Sequence, residues 1–247
     1  MTDPRDRSDP SNLPRRVVGP DGGPQPGETA EDWFRRTFGE MPPPVHEEPE
    51  GTAAARGVEG RQVALGALER TIPESYRWAR FSAPELRDRI PAPAIARAQD
   101  AWRDDRVCLM GAARAGKTSL AVAMARRRVS ESARTGVFVH AYKLGVARIL
   151  HPAGRGEPEL VELAMRTPLL LLDDLGGERD HATSAIPDVL VERHAEGRPT
   201  WVTTGLTREQ LVKRYGQGIV ARVFERGTLV RVGPETPREK KSTRSGT

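Results

Sequence analysis

Cysteine is nearly absent: Cys108 is the only one among 247 residues, which excludes an internal disulfide framework and a cysteine-rich zinc site. The five histidines (His46, His140, His151, His181 and His194) are scattered, without metal-ligand spacing. Aromatic residues make up only 5% of the chain. The hydrophobic share, 37%, is below that of an ordinary globular protein, whereas charged residues reach 30%. That deficit implies a folded domain carrying ends that cannot bury a core. Long apolar runs are missing too. The longest aliphatic stretch, Leu169 to Leu172, stops at two aspartates and is far too short to cross a bilayer. The first residues, Met-Thr-Asp-Pro-Arg-Asp, contain no apolar signal-peptide core. These absences lead us to expect a soluble, cytoplasmic protein. No internal repeat is evident.

Positive charge, by contrast, is abundant: +5 overall with an isoelectric point near 9.8, carried far more by arginine than by lysine. A GC-rich genome also produces such a bias, so the balance alone does not point to nucleic acid. The charge is unevenly spread. Residues 1–60 hold roughly ten of the 21 prolines, few branched aliphatics and a net charge of roughly −5, a composition that stays disordered. Within this acidic tail, Glu31-Asp32-Trp33-Phe34-Arg35-Arg36-Thr37-Phe38-Gly39 stands out. Trp33, Phe34 and Phe38 would share one side of a short helix, either docked on the chain's own domain or folding against a partner. Residues 61–100 read as a helical extension or linker, 101–233 as the core domain, and 234–247 as a basic C-terminal tail.

Within the core, apolar strands alternate with helical patterns. The spacing predicts strands at Arg106–Met110, Val137–His140, Leu169–Leu172, Trp201–Thr204 and Thr228–Val232. Helices are expected at Ser119–Ser132, Glu159–Met165, Ala185–Ala195 and Arg208–Arg214. Five strands separated by helices imply an α/β fold with a parallel five-stranded sheet flanked by helices. The continuous run Leu169 to Leu172 suits a strand covered on both faces.

The main chemical signal is Gly111-Ala112-Ala113-Arg114-Ala115-Gly116-Lys117-Thr118, which fits G-x-x-x-x-G-K-[ST] at every fixed position and lies between a strand and a helix. The glycines let the backbone curl its N–H groups toward phosphates, and the following helix N-terminus, Thr118 and Ser119 onward, adds positive potential. Lys117 would reach the β- and γ-phosphates of ATP, and the Thr118 hydroxyl would ligate Mg²⁺. A second metal carboxylate is needed from a neighbouring strand. Asp173-Asp174 supplies it at the end of the leucine run, at the sheet edge where ligands of open α/β folds bind. Asp173 would hold Mg²⁺, mostly through water, and Asp174 would polarise the attacking water. The bland readings are a glycine turn for the first motif and a strand leaving the core for the second.

The combination resembles the AAA+ ATPases of the DnaC-like helicase-loader and IstB-like transposition group. The resemblance runs from residue 70 to about 238. It is carried by Ile72-Pro73-Glu74-Ser75-Tyr76, Gly111 to Ser119, Asp173-Asp174-Leu175-Gly176-Gly177-Glu178, Glu192-Arg193, Arg198-Pro199-Thr200, Thr203-Thr204-Gly205-Leu206, Arg214-Tyr215-Gly216 and Ala221-Arg222-Val223. It implies a P-loop NTPase (AAA+) that binds and hydrolyses ATP, forms a homo-oligomer in the ATP state, and acts on a DNA-bound partner such as a replicative helicase. Thr203 and Thr204 end the fourth strand where such proteins place Ser/Thr-Asn to sense the γ-phosphate, and Thr204 becomes the candidate sensor. Gly205 stands where the asparagine would be, which implies slower or differently triggered hydrolysis. Arg222 resembles an arginine finger reaching a neighbour's site, with Arg226 as the rival and a plain surface arginine as the alternative. Arg238 lies roughly where a second sensor sits.

Contact with single-stranded DNA has weaker signals. Arg126-Arg127-Arg128 closes the phosphate-loop helix, where cations also satisfy the helix dipole. Arg148, His151 and Arg155 fall in a Gly/Pro-rich loop after the second strand, and the resemblance suggests that such loops meet single-stranded DNA. Three other readings remain open: a transposition helper ATPase, a weakly hydrolysing ATP-bound adaptor, and a small-molecule P-loop kinase. The last is disfavoured by the lack of an arginine-bearing lid.

Overall fold

The computed structural model describes residues 58–152, 154–178, 185–225 and 227–233. The Trp33–Phe34–Phe38 island, Arg226 and Arg238 lie outside these residues. In chain order the elements are α1 (Val58–Thr71), a 3-10 turn (Glu74–Tyr76), α2 (Pro84–Arg89), α3 (Ala92–Ala101), β1 (Arg106–Met110), α4 (Lys117–Ser132), β2 (Gly136–His140), α5 (Ala141–Leu150), α6 (Glu159–Arg166), β3 (Leu169–Asp173), α7 (Ala185–Ala195), β4 (Thr200–Thr204), α8 (Arg208–Tyr215), α9 (Gln217–Phe224) and β5 (Thr228–Arg231).

The strands form one parallel sheet in the order β2-β3-β4-β1-β5. All five residues of β3 are buried, so helices cover both faces, as the unbroken leucine run implies. The strand order places the chemistry. The chain leaves β1 for the far edge and returns through β3 to β4 beside β1. The carboxyl ends of β1, β4 and β3 therefore stand side by side, with Met110 opposite Thr204 and His140 opposite Asp173.

The segment expected as a helical extension or linker packs into the same core. Ala64, Leu68, Ile72, Leu86 and Ala98 are buried in one cluster with Leu109, Leu120, Leu171 and Trp201 of the sheet and α4. Thr71 also closes the open side of the edge strand: its hydroxyl accepts from the Phe138 N–H at 2.9 Å and donates to the Leu68 carbonyl at 2.8 Å. That contact satisfies one of the outward-facing donors that make sheet edges adhesive.

The arginines behave differently from the expectation of DNA contact. Arg126 is buried and paired with Glu69 at 2.5 Å. Arg127 stacks over the Trp102 ring at 4.9 Å. Arg128 pairs with Asp105 at 2.9 Å. Arg148 lies in α5, not in a loop, and is held between Glu157 at 2.7 Å and Asp188 at 2.6 Å. Each of these guanidinium groups already holds a carboxylate or a ring, Arg128 and Arg148 in partly exposed pairs. Of the three loop candidates, Arg155 is the exposed one.

Arg193 of α7 is the most deeply placed charge, 0% exposed. It donates to the carbonyls of Ala164 (2.9 Å), Met165 (3.2 Å), Thr167 (2.7 Å) and Pro199, and to the Thr200 hydroxyl at 2.8 Å. It thus joins the C-terminus of α6 to the start of β4. Arg193→Leu strands several buried carbonyls, each worth about 1–3 kcal/mol. A thermal melt of the variant is expected to show a loss of about ten degrees or failure to fold; an unchanged melting temperature would refute this role.

Candidate nucleotide site

The loop between β1 and α4 curls around glycines that nothing else could replace. A Cβ on Gly111 would fall 1.9 Å from the Val232 carbonyl, where β5 leaves the sheet. Arg114 (φ 62) and Gly116 (φ 91) both adopt left-handed backbone on either side of Ala115. Such alternation turns successive N–H groups toward one concavity, an anion-binding nest. Among the described residues no carbonyl accepts from the N–H groups of Ala113, Arg114 or Gly116. Ala112, Ala113 and Arg114 are exposed, whereas Ser119 is buried in the first turn of α4.

Lys117, 9% exposed, bends back so that its Nζ donates to the Ala112 carbonyl at 2.8 Å across the loop. Burial lowers its pKa, and the charges of Asp174 and Asp173 oppose that shift. The ammonium is therefore already in the field of both carboxylates at the end of β3.

Asp173 is the hub of the site. Its Oδ1 accepts from the Thr118 hydroxyl at 2.8 Å and from the Thr203 hydroxyl at 2.6 Å, while its Oδ2 lies 3.1 Å from His140 Nδ1. Burial pushes the Asp173 pKa up, but the hydrogen bonds from His140, Thr203 and Thr118 and the charge of His140 together pull it below the usual carboxylate value. A carboxylate with a lowered pKa stays ionised until the pH falls below the ordinary carboxylate range, so its stabilising contribution is present at neutral pH and lost only in acid. A divalent cation is implied by the phosphate loop, and the donors suit a hard ion. The Thr118 hydroxyl and the ionised Asp173 carboxylate are both oxygen ligands, already adjacent.

Asp174 is exposed and sits at φ 57, left-handed for a non-glycine residue, which costs on the order of 1–2 kcal/mol. The surrounding turn imposes that conformation. The Asp174 N–H donates to the Thr203 hydroxyl at 2.9 Å, and the Leu175 N–H to the Thr203 carbonyl at 2.8 Å. A Cβ on Gly177 would lie 2.2 Å from the Asp174 carboxylate, and one on Gly176 would lie 2.3 Å from Leu206. The two glycines exist so that this carboxylate and Leu206 can occupy their space.

One candidate residue stands differently from the sequence reading. The Thr204 hydroxyl, expected to sense phosphate, is 0% exposed and donates to the Leu175 carbonyl at 2.7 Å while accepting from the Leu206 N–H at 3.1 Å. Both its capacities are used by the backbone, so Thr203 is the strand-end hydroxyl that touches the Asp173 carboxylate. Gly205 is exposed, and a Cβ there would meet only the Gly111 carbonyl, at 3.9 Å. Room for a side chain exists beside the phosphate loop, but this chain supplies none. Gly205→Asn is expected to fold normally and to raise steady-state ATP turnover; a lower melting temperature or unchanged turnover in a phosphate-release assay would count against that reading.

Arg222 lies at the other edge of the sheet. With Arg106, His194, Arg198 and Thr200 it lines a small cleft at the amino ends of β1 and β4. Its Nη1 donates to the Gly218 carbonyl at 2.8 Å. β1 separates this cleft from the phosphate loop by about 13 Å of strand, so Arg222 cannot serve the loop of its own chain. Sequence reasoning misses His140, for which a lone histidine after a strand is a weak signal, and the hub role of Thr203.

Fold and motif together define a parallel α/β domain with a phosphate-loop sequence between β1 and α4. No family model and no curated protein matches the chain. Among solved structures it is similar to the DnaC helicase loader, with a TM-score of 0.56 and 21% identity over 65% of this chain and 100% of that one. It is also similar to DnaI, with a TM-score of 0.53 and 23% identity over 67% and 97% of the two chains. A candidate primosome component from Streptococcus pyogenes serotype M3 matches at 0.52 and 18% over 68% and 93%. What the chain shares with these structures at such identities is the fold. No described helix is long and apolar enough to cross a membrane.

Proposed function

We propose that this chain binds and hydrolyses ATP and uses the cycle to act on a DNA-bound partner, loading a replicative helicase during DNA replication. The observation that carries the nucleotide reading is the Thr118–Asp173–Thr203 cluster beneath a phosphate loop in which the N–H groups of Ala113, Arg114 and Gly116 are open. The helicase-loader reading is supported by the fold likeness, which spans the full length of the DnaC structure.

In this reading the loop N–H groups of Ala113, Arg114 and Gly116 and the first turn of α4 hold the phosphates, and Lys117 leaves the Ala112 carbonyl to neutralise the β- and γ-phosphates. Mg²⁺, held by Thr118 and Asp173, supplies further charge neutralisation on the phosphate oxygens when bound. Asp174 orients the attacking water and accepts its proton. Arg222 of a second copy provides a finger cation at the γ-phosphate, so the active form is a homo-oligomer aligned on single-stranded DNA. Arg238 would contact the nucleotide from beyond the described residues. A weakly hydrolysing, ATP-bound adaptor is the second reading, favoured by Gly205 alone.

The test is a loading assay on circular single-stranded DNA coated with binding protein, using the replicative helicase of the same cell. Unwinding is expected to require this chain and ATP. Unwinding that is equal with and without the chain would reject the loader role, and turnover that stays near zero with DNA present would favour the adaptor.

A further inference from the structure

Glu178 is fully buried, its side chain 0% exposed, yet it does not touch the phosphate loop, the metal carboxylate or Arg222. Its Oε2 accepts from the Gly176 N–H at 2.9 Å, inside the turn that carries Asp174. Its Oε1 accepts from Arg214 Nε at 3.0 Å and from the Tyr215 hydroxyl, and its own carbonyl accepts from a second Arg214 nitrogen. One carboxylate thus ties two elements far apart in sequence: the acidic turn after β3 and the last two residues of α8.

The helix after α8 gives the link a direction. Gly216, at φ 84, is the single residue between α8 and α9, and α9 carries Arg222. α8 packs on α9, and α9 packs on α7 and β1. A shift of Arg214 and Tyr215 would therefore move the base of the helix that presents Arg222. The acidic turn is the stiffer end, since Gly176 is wedged on Leu206 and Gly177 on Asp174. Burial and the Glu178 carboxylate both push the Tyr215 phenol up, so it remains a donor at any working pH. Stability alone does not call for this arrangement, because a buried ion pair is often matched or bettered by apolar packing of the same volume.

We propose that Glu178 is a positioning residue that fixes α8 and α9 to the acidic turn and thereby sets how Arg222 is presented to the nucleotide site of a second copy of this chain. The inference rests on the shared-site reading above. Glu178 acts on the donating side of the interface, not on the water-orienting Asp174 beside it.

Glu178→Gln tests it. Glutamine keeps the shape but has one acceptor oxygen and an NH₂ group, so one of the three donors facing it loses its partner. Turnover is expected to fall by about 10- to 100-fold, the cost of misplacing a catalytic group by about 1 Å, while KM for ATP and the affinity for a fluorescent ATP analogue stay unchanged. Mixing decides where the defect lies. Glu178→Gln with Lys117→Ala should recover activity, because the second protein lends an intact Arg222 to an intact site. Glu178→Gln with Arg222→Ala should not, because neither protein presents the finger properly. Recovery with Arg222→Ala but not with Lys117→Ala would overturn the proposal by placing the defect on the acidic turn. Recovery with neither, together with weaker nucleotide binding, would reduce Glu178 to a packing residue, and wild-type turnover would remove any role. The control pair Lys117→Ala with Arg222→Ala must itself recover; if it does not, the shared-site reading fails and takes this inference with it. Should Glu178→Gln not fold, Tyr215→Phe, which spares the Glu178–Arg214 pair, is expected to give the same asymmetry in the same mixtures.

Discussion

Arg222→Ala is expected to bind ATP normally and to lose turnover by about 10³-fold or more, the usual worth of a finger arginine. The reason is charge. Phosphoryl transfer spreads negative charge over the γ-phosphate oxygens, and a cation aimed at them stabilises the transition state far more than the bound ground state. Arg222 lies beside Arg106, His194 and Arg198, at the sheet edge away from its own Lys117. A lone protomer would therefore hydrolyse poorly. Specific activity should rise with protein concentration, and more so on single-stranded DNA. Mixing Arg222→Ala with Lys117→Ala should restore part of the activity, since one interface in the mixture combines an intact Lys117 with an intact Arg222. Activity per molecule that stays flat over a hundredfold dilution, with no recovery on mixing, would show that the site is complete within one chain.

Lys117→Ala should instead lose nucleotide affinity. The Nζ is already committed to the site, bonded to the Ala112 carbonyl and in the field of Asp173 and Asp174. A charge-assisted hydrogen bond contributes about 1.5–3 kcal/mol, and each 1.4 kcal/mol is about tenfold in affinity. Two such contacts to phosphate imply about a hundredfold loss or more. The fold should survive, because the freed Ala112 belongs to an exposed loop that water can reach. Titration with a fluorescent ATP analogue alongside a thermal melt separates the two effects. Unchanged affinity would remove Lys117 from the site. Asp174→Asn is the complementary variant, expected to bind ATP and not to hydrolyse it.

The parts of this protein that are legible in its sequence are those whose chemistry is local. The phosphate loop needs two glycines, a lysine and a threonine at fixed spacing, and the strand before it and the helix after it are written in the adjacent residues. The acidic strand is equally local: four leucines cannot be exposed, and two aspartates cannot follow them into the core. β1 and α7 fall at their expected residues, and the remaining strands differ by one residue at an end. α5 is hidden from a sequence reading because it follows β2 without a loop, Gly145 interrupts its helical pattern and a Gly/Pro-rich stretch follows.

The sequence by itself therefore determined the class of fold and the phosphate loop, since steric and hydrophobic preferences act over a few neighbouring residues. Only the tertiary structure decided the uses of charge. Arg126 meets Glu69, Arg148 meets Asp188, and Arg193 meets four carbonyls of other elements, and none of these pairings can be read from sequence spacing. The same holds for Thr203 over Thr204, whose order of importance depends on which strand lies between β1 and β3. It also holds for Glu178, whose three donors come from two separate elements. A guanidinium or carboxylate carries the same charge wherever it stands, and it is packing, by fixing its nearest partner and excluding water, that makes it a strut, a ligand or a free catalytic group.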